Sequence, residues 1–223
     1  MGLCAVPPGF SFVLRGFVMS IEEKSATKRT IKAQSTRRTI FENAVELFAQ
    51  YGYEKVTVDD IAARSGVSKG AFYHHFPTKE AILVEQFDRI DEAYEQAFAQ
   101  ADPDMSAGGQ LVLLVDTMTD YCSRVCGINV IRTVYAGQAA HREATPILYN
   151  RERAIYRYLG RIVDRGLAAG EFAPIDPSEL TELLMRACRS LVYDWCLYGE
   201  QMDLVQEGRR FAAHLLRWIA PKS

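Results

Sequence analysis

The 223-residue chain contains no stretch of useful length in which apolar and polar residues alternate, and this absence removes the β-sheet from its candidate architectures. Missing too are a glycine-rich phosphate loop, a nucleophile elbow and a paired His-and-carboxylate motif on a helix, so nothing in the chain points to an enzyme. His141, Arg142 and Glu143 read as a polar connection between helices. The apolar residues 1–18 are interrupted by Pro7, Pro8 and Arg15, which leaves them too short and too broken to span a membrane. No basic segment precedes them as in a signal peptide, and Val6 stands where myristoylation requires Ser or Thr. The reading that follows is translation from Met19. The five cysteines, Cys4, Cys122, Cys126, Cys188 and Cys196, are odd in number and scattered, as expected of reduced thiols in a cytoplasm. Cys122 and Cys126 fall one helical turn apart and read as packing residues rather than as a metal or redox site. No cofactor or metal is expected.

What is present is enough apolar sequence, 48% of residues, to bury a sizeable core in one or two compact domains. The net charge of −2 hides a division. From residue 19 to 79 ten Lys and Arg face seven Asp and Glu, a balance of +3, whereas 15 against 21 from residue 80 onward gives −6, and Arg15 supplies the remaining charge. The basic excess is concentrated in Lys24, Lys28, Arg29, Lys32, Arg37 and Arg38, with no acid among them. They form a flexible basic arm whose two readings are a solvated tail and a strand of phosphate or minor-groove contacts.

The most informative segment runs from Thr57 to Lys79. Thr57 precedes the apolar Val58, Ile61 and Ala62 and has Asp60 three places on, close to a capping box, so a helix begins at about Val58. Ser65-Gly66 ends it, because glycine accepts the left-handed conformation of a tight turn. Ser68 then caps a second helix. Ala71, Phe72 and Phe76 turn inward in it, while Lys69, Gly70, Tyr73, His74 and His75 are left outside. Hydrogen-bond donors and an aromatic ring on a short exposed helix suit a DNA groove.

These residues, with Ile40-Phe41-Glu42-Asn43-Ala44-Val45-Glu46-Leu47-Phe48 before them, Tyr51-Gly52-Tyr53 between, and the run Phe72-Tyr73-His74-His75-Phe76-Pro77-Thr78-Lys79-Glu80, resemble the DNA-binding domain of the TetR family of bacterial transcriptional regulators. The resemblance covers Thr36 to Leu83, roughly a fifth of the chain, without a gap. It implies an all-α protein in which a three-helix, helix-turn-helix domain over residues 35–80 follows a disordered extension and arm over 1–34. A helical effector-binding and dimerisation bundle then occupies 81–223. It further implies a homodimer formed by the last two helices, reading a palindromic operator.

Carried over position by position, the DNA-facing residues are Thr57, Ser68, Lys69, Gly70, Tyr73, His74, His75 and Lys79. Gly70 lets the backbone approach DNA, Tyr73 meets a phosphate or a thymine methyl, and Thr57 and Lys79 address phosphates. Lys69 is the expected base reader, since an amine bridges the O6 and N7 acceptors of guanine. Phe48, Ile61, Phe72 and Phe76 are core. The adjacent His74 and His75 point apart and are not expected to hold metal.

Beyond Lys79 the apolar spacing predicts helices over about 78–100, 111–125, 129–140, 146–167, 177–197 and 204–219. Candidate lining for an unidentified small-molecule effector comes from Met118, Tyr121, Tyr135, Tyr149, Tyr156 and Trp195, each of which is equally a core residue. The rival reading is an all-α ligand-binding or oligomerisation protein without operator binding, and repression and activation are both open.

Overall fold

The computed structural model describes the backbone of residues 10–140 and 147–221, with side chains from residue 30 to 139 and from 147 on. The described residues form nine α-helices and no strand. They are α1 (Phe10–Tyr51), α2 (Val58–Arg64), α3 (Lys69–His75), α4 (Glu80–Ala99), α5 (Ala107–Tyr121), α6 (Ile128–Ala140), α7 (Ala154–Ala168), α8 (Pro177–Tyr198) and α9 (Leu204–Ile219). Among the described residues no helix is long and apolar enough to cross a membrane.

The N-terminal unit is built as its caps dictate. Thr57 Oγ1 accepts the amide of Asp60 at 3.1 Å while the Asp60 carboxylate accepts the Thr57 amide at 2.8 Å, a reciprocal capping box that starts α2. Gly66, at φ +66°, makes the turn. Ser68 Oγ then accepts the Ala71 amide and starts α3. Ile40, Ala44 and Phe48 on α1, Ile61 on α2, and Phe72 and Phe76 at the end of the unit are all fully buried, so three short apolar stripes close on one another.

Two features differ from the sequence reading. The first helix does not begin near Ile40. It runs from Phe10 with no break at residue 34, and the basic residues 24–38 fall within it. Nothing between Gly16 and Tyr51 interrupts it, because that span has neither proline nor glycine. The helix expected to start near Pro146 starts instead at Ala154. The backbone before it is held in turns by side chains: Gln138 Oε1 accepts the Ile147 amide, and the Arg153 guanidinium donates to the Ile147 carbonyl. His141, Arg142, Glu143 and Pro146 lie outside the described residues, as does the side-chain environment of residues 1–29 on which the Met19 start bears.

In the larger unit α5 is the axle. Leu111, Leu114 and Val115 are fully buried, and α4, α7 and α9 pack around them. Cys122 to Cys126 form a π-helical turn at its end, which keeps both thiols inside rather than spacing them as one regular turn. Cys188 and Cys196 are likewise buried free thiols.

The α7–α8 corner depends on Gly166. A Cβ there would overlap the ring of Phe172, itself only 3% exposed, so neither partner has room to yield. Gly166→Ala is expected to destabilise the fold by about 1 to 3 kcal/mol through overpacking, read as a lower urea midpoint at unchanged slope.

Candidate nucleic-acid interface

Helix α3 sits on two fully buried rings, Phe72 and Phe76, whose centroids are 6.0 Å apart. With that side fixed, the helix presents Ser68, Lys69, Gly70, Tyr73 and His74 to solvent beside the exposed Thr57. Tyr73 keeps 47% of its surface exposed. A Cβ on Gly70 would meet only Ser68 Oγ, at 3.9 Å, so packing within the chain does not explain the missing side chain. The bare backbone is instead available to something outside.

Three of the expected contacts are modified. Lys69 Nζ is paired with the Asp59 carboxylate at 2.8 Å, both groups exposed, and this pairing holds the ammonium above its ordinary pKa. The amine must therefore leave an acid to reach a base. His75 is half-buried, and burial, followed by the charges of His74 and Arg37, pushes its imidazole below the usual histidine range. It offers a neutral ring rather than a cation. Lys79 turns inward: its ammonium donates to the carbonyls of Tyr53 and Val56, both at 3.0 Å, and stands 3.9 Å from the centre of the Tyr53 ring. Its charge clamps the segment leading into α2 and so positions Thr57.

The arm residues divide in the same way. The guanidinium of Arg37 pairs with Glu85 on α4 and lies over the Phe76 ring, which ties the arm to the core. Arg38 pairs with Glu42 one turn along the helix, leaving it on the surface.

A small hollow of about 40 Å³ lies inside the larger unit between α4, α5, α6, α7 and α8. Of the six candidate lining residues, Met118 and Tyr135 border it. Tyr156 stands behind it, bonded to Arg189, while Tyr121 lines a separate surface depression with Asp116 and Arg209. Tyr149 is 48% exposed, and Trp195 is buried without bordering the hollow. The lining that sequence reasoning missed includes Phe87, Ile90, Tyr94, Arg153 and Arg189. Phe87, Ile90 and Tyr94 recur at helical spacing along α4, but nothing local announces that two arginines join them.

Arg153 binds both oxygens of Asp91, at 2.7 and 3.3 Å, and reaches the carbonyls of Phe87 and Ile147. Burial pushes Tyr94 and Tyr135 up and the Cys188 thiol up to about 12, so these groups are neutral at physiological pH.

Residues 40–85 match the model of the bacterial regulatory proteins of the tetR family. The HTH-type transcriptional regulator YhgD of Bacillus subtilis is 24% identical over 162 residues, which are 71% of this chain and 83% of that protein. The probable acrEF/envCD operon repressor of Escherichia coli is 41% identical over 61 residues, 27% of this chain and 28% of the repressor. Other curated relatives are likewise matched over only 17% to 31% of their own length. Among solved structures, a transcriptional regulator from Saccharomonospora viridis in complex with choline aligns with a TM-score of 0.66 at 25% identity, over 85% of this chain and all of that one.

Proposed function

We infer that this chain, a TetR-family DNA-binding transcriptional regulator, acts as a cytoplasmic, non-enzymatic repressor that sits on a palindromic operator as a homodimer and leaves it when a small molecule enters the hollow between α4 and α8. The observation that carries the DNA reading is the α3 face: polar, bare at Gly70 and rigidly seated on Phe72 and Phe76. A short helix braced in this way enters a major groove as a unit. The rival, a ligand-binding protein without operator binding, leaves that exposed face without a role.

The dimer reading rests on the last two helices. Tyr193, Leu197 and Tyr198 on α8 and Trp218 on α9 are 48% to 62% exposed, although the opposite sides of the same helices are buried. Two copies joined through that face would relate their α3 helices by a two-fold axis, and the protein's symmetry would become the operator's.

Ligand response follows from how the hollow is wired. Asp91, held by Arg153 at the edge of the hollow, belongs to α4, and α4 begins directly after the DNA-binding unit. A ligand with higher affinity for an arrangement in which that contact is broken would shift the two DNA-binding units away from operator spacing.

Lys69 tests the interface at a single side chain. Lys69→Ala is expected to cost about 1 to 3 kcal/mol on the operator and distinctly less on random DNA, as a base contact requires. Asp59→Asn should strengthen binding to both, because it releases the lysine and removes a negative charge from the DNA-facing surface. Fluorescence anisotropy with matched duplexes reads both effects. Equal losses for Lys69→Ala on the two DNAs would reduce Lys69 to a phosphate contact.

A further inference from the structure

We propose that Arg189 is the head-group anchor of a site for an amphipathic organic anion, a molecule with one carboxylate-like head and an apolar body; the proposal rests on the reading of the α4–α8 hollow as an effector site. Two guanidiniums border the hollow, and they are not equivalent. Arg153 is neutralised by Asp91 at 2.7 Å. Arg189 donates through Nη1 only to uncharged oxygens, the Leu148 carbonyl and the Tyr156 hydroxyl, both at 2.9 Å. Among the described residues no carboxylate lies within ion-pairing distance of Arg189. The other titratable groups bordering the hollow, Tyr94, Tyr135, Cys122 and Cys188, are uncharged at neutral pH. Among the charged groups bordering the hollow, Arg189 therefore stands without a counter-charge, which an anionic head supplies and a cationic ligand opposes.

Shape supplies the rest. Phe87, Ile90, Met118, Met185 and Val192 give the hollow an apolar wall, which suits hydrocarbon and offers nothing to a second polar group. At about 40 Å³ the space holds water but no drug-sized molecule, so a ligand must displace side chains. Met118 and Met185 are unbranched and can repack at low cost. A planar guanidinium whose Nε and Nη2 have no acceptor among the described residues matches a carboxylate bidentately. Tyr156 and the Leu148 carbonyl hold the arginine in place before the ligand arrives, and Tyr135 braces the same residue by donating to the Arg189 carbonyl at 2.9 Å.

The full-length protein, titrated in a calorimeter with octanoate, octan-1-ol and octylammonium, decides the matter, because the three probes share a chain and differ in head charge. Octanoate should bind at least about tenfold more tightly than the alcohol, and octylammonium should not bind, as expected for a charge-assisted contact. Arg189→Gln should weaken octanoate about tenfold and leave the alcohol unchanged, with Arg189→Lys restoring part of the loss. Equal binding of the three probes, preference for the ammonium, no binding of any, or an Arg189→Gln protein with wild-type octanoate affinity would each overturn the proposal. Should the glutamine variant fail to fold, the charge series on the wild-type protein decides alone. Operator release is measured separately: octanoate bound through Arg189 without loss of DNA would sustain the site and defeat the release reading.

Discussion

Leu197→Arg is expected to separate the proposed dimer and lower affinity for its proposed operator by about a thousandfold, towards the level of non-specific binding. The expectation starts from exposure. Leu197 is 62% exposed on α8, with Tyr193 one turn before it, Tyr198 beside it, and Trp218 60% exposed on α9. Large apolar side chains scattered singly need no explanation, but four of them fall on the last two helices, where the dimer face is proposed. Burying a leucine of this kind contributes about 1.5 to 3 kcal/mol, and a two-fold interface counts it twice. Arginine in its place removes that gain and brings one positive charge from each copy into the proposed interface. A monomer then meets half of the operator with half of the contacts. Because Leu197 packs little within its own subunit, the circular dichroism spectrum should be unchanged, which separates loss of assembly from loss of fold. Sedimentation equilibrium reads the assembly and anisotropy the affinity. A Leu197→Arg protein that remains dimeric and binds the operator normally would move the interface elsewhere.

Arg153→Ala should destabilise each subunit by about 3 to 5 kcal/mol, the usual cost of leaving one member of a buried ion pair alone, and lower the melting temperature by about 10 °C. Both partners are largely enclosed: the side chain of Arg153 is 12% exposed and that of Asp91 21%. Removing the guanidinium breaks its bonds to Asp91 and to the carbonyls of Phe87 and Ile147, and also its position over the Phe87 ring. Among the described residues Asp91 would keep the Ala154 amide, at 3.3 Å. Its neighbour Asp88, whose carboxyl is already pushed up by burial and then by Asp91, makes an uncompensated charge there worse. The pair has a second signature. Replacing both residues, as Arg153→Leu with Asp91→Leu, should cost less than either single change, because two apolar groups leave no orphaned charge. Strictly additive losses would mean that the two residues act independently. The same pair joins α4 to the segment before α7, so the destabilised protein should also lose part of its response to any effector bound in the hollow.

The DNA-binding unit was legible because its signals are local. Thr57 with Asp60, Gly66 and Ser68 declare helix starts and a turn within a dozen residues, and the structure forms each of them as read. The inward set Phe72 and Phe76 follows from helical spacing alone. Where the reading fell short, the deciding partner lies elsewhere in the chain. Lys69, the expected base reader, is paired with Asp59 on the preceding helix. Lys79 looked like a phosphate contact, yet the carbonyls of Tyr53 and Val56 take its ammonium. Arg37 belonged by composition to a solvated arm and is tied to Glu85, 48 positions on. The hollow was the least legible part, because it is assembled from five helices and the segment before α7, and its two arginines carry no periodic mark. The delayed start of α7 has the same origin, since Gln138 and Arg153 hold the chain in turns through contacts that no local propensity encodes.

The measurement that bears most directly on the whole account is selection of bound fragments from a random pool of double-stranded DNA by the purified full-length protein, with the winning sequence titrated at two salt concentrations. The account predicts enrichment of a palindrome whose half-sites lie about one helical turn apart, bound with an affinity that falls steeply as salt rises. A pool that emerges without an enriched motif, or with a single unpaired half-site bound by a monomer, would contradict it.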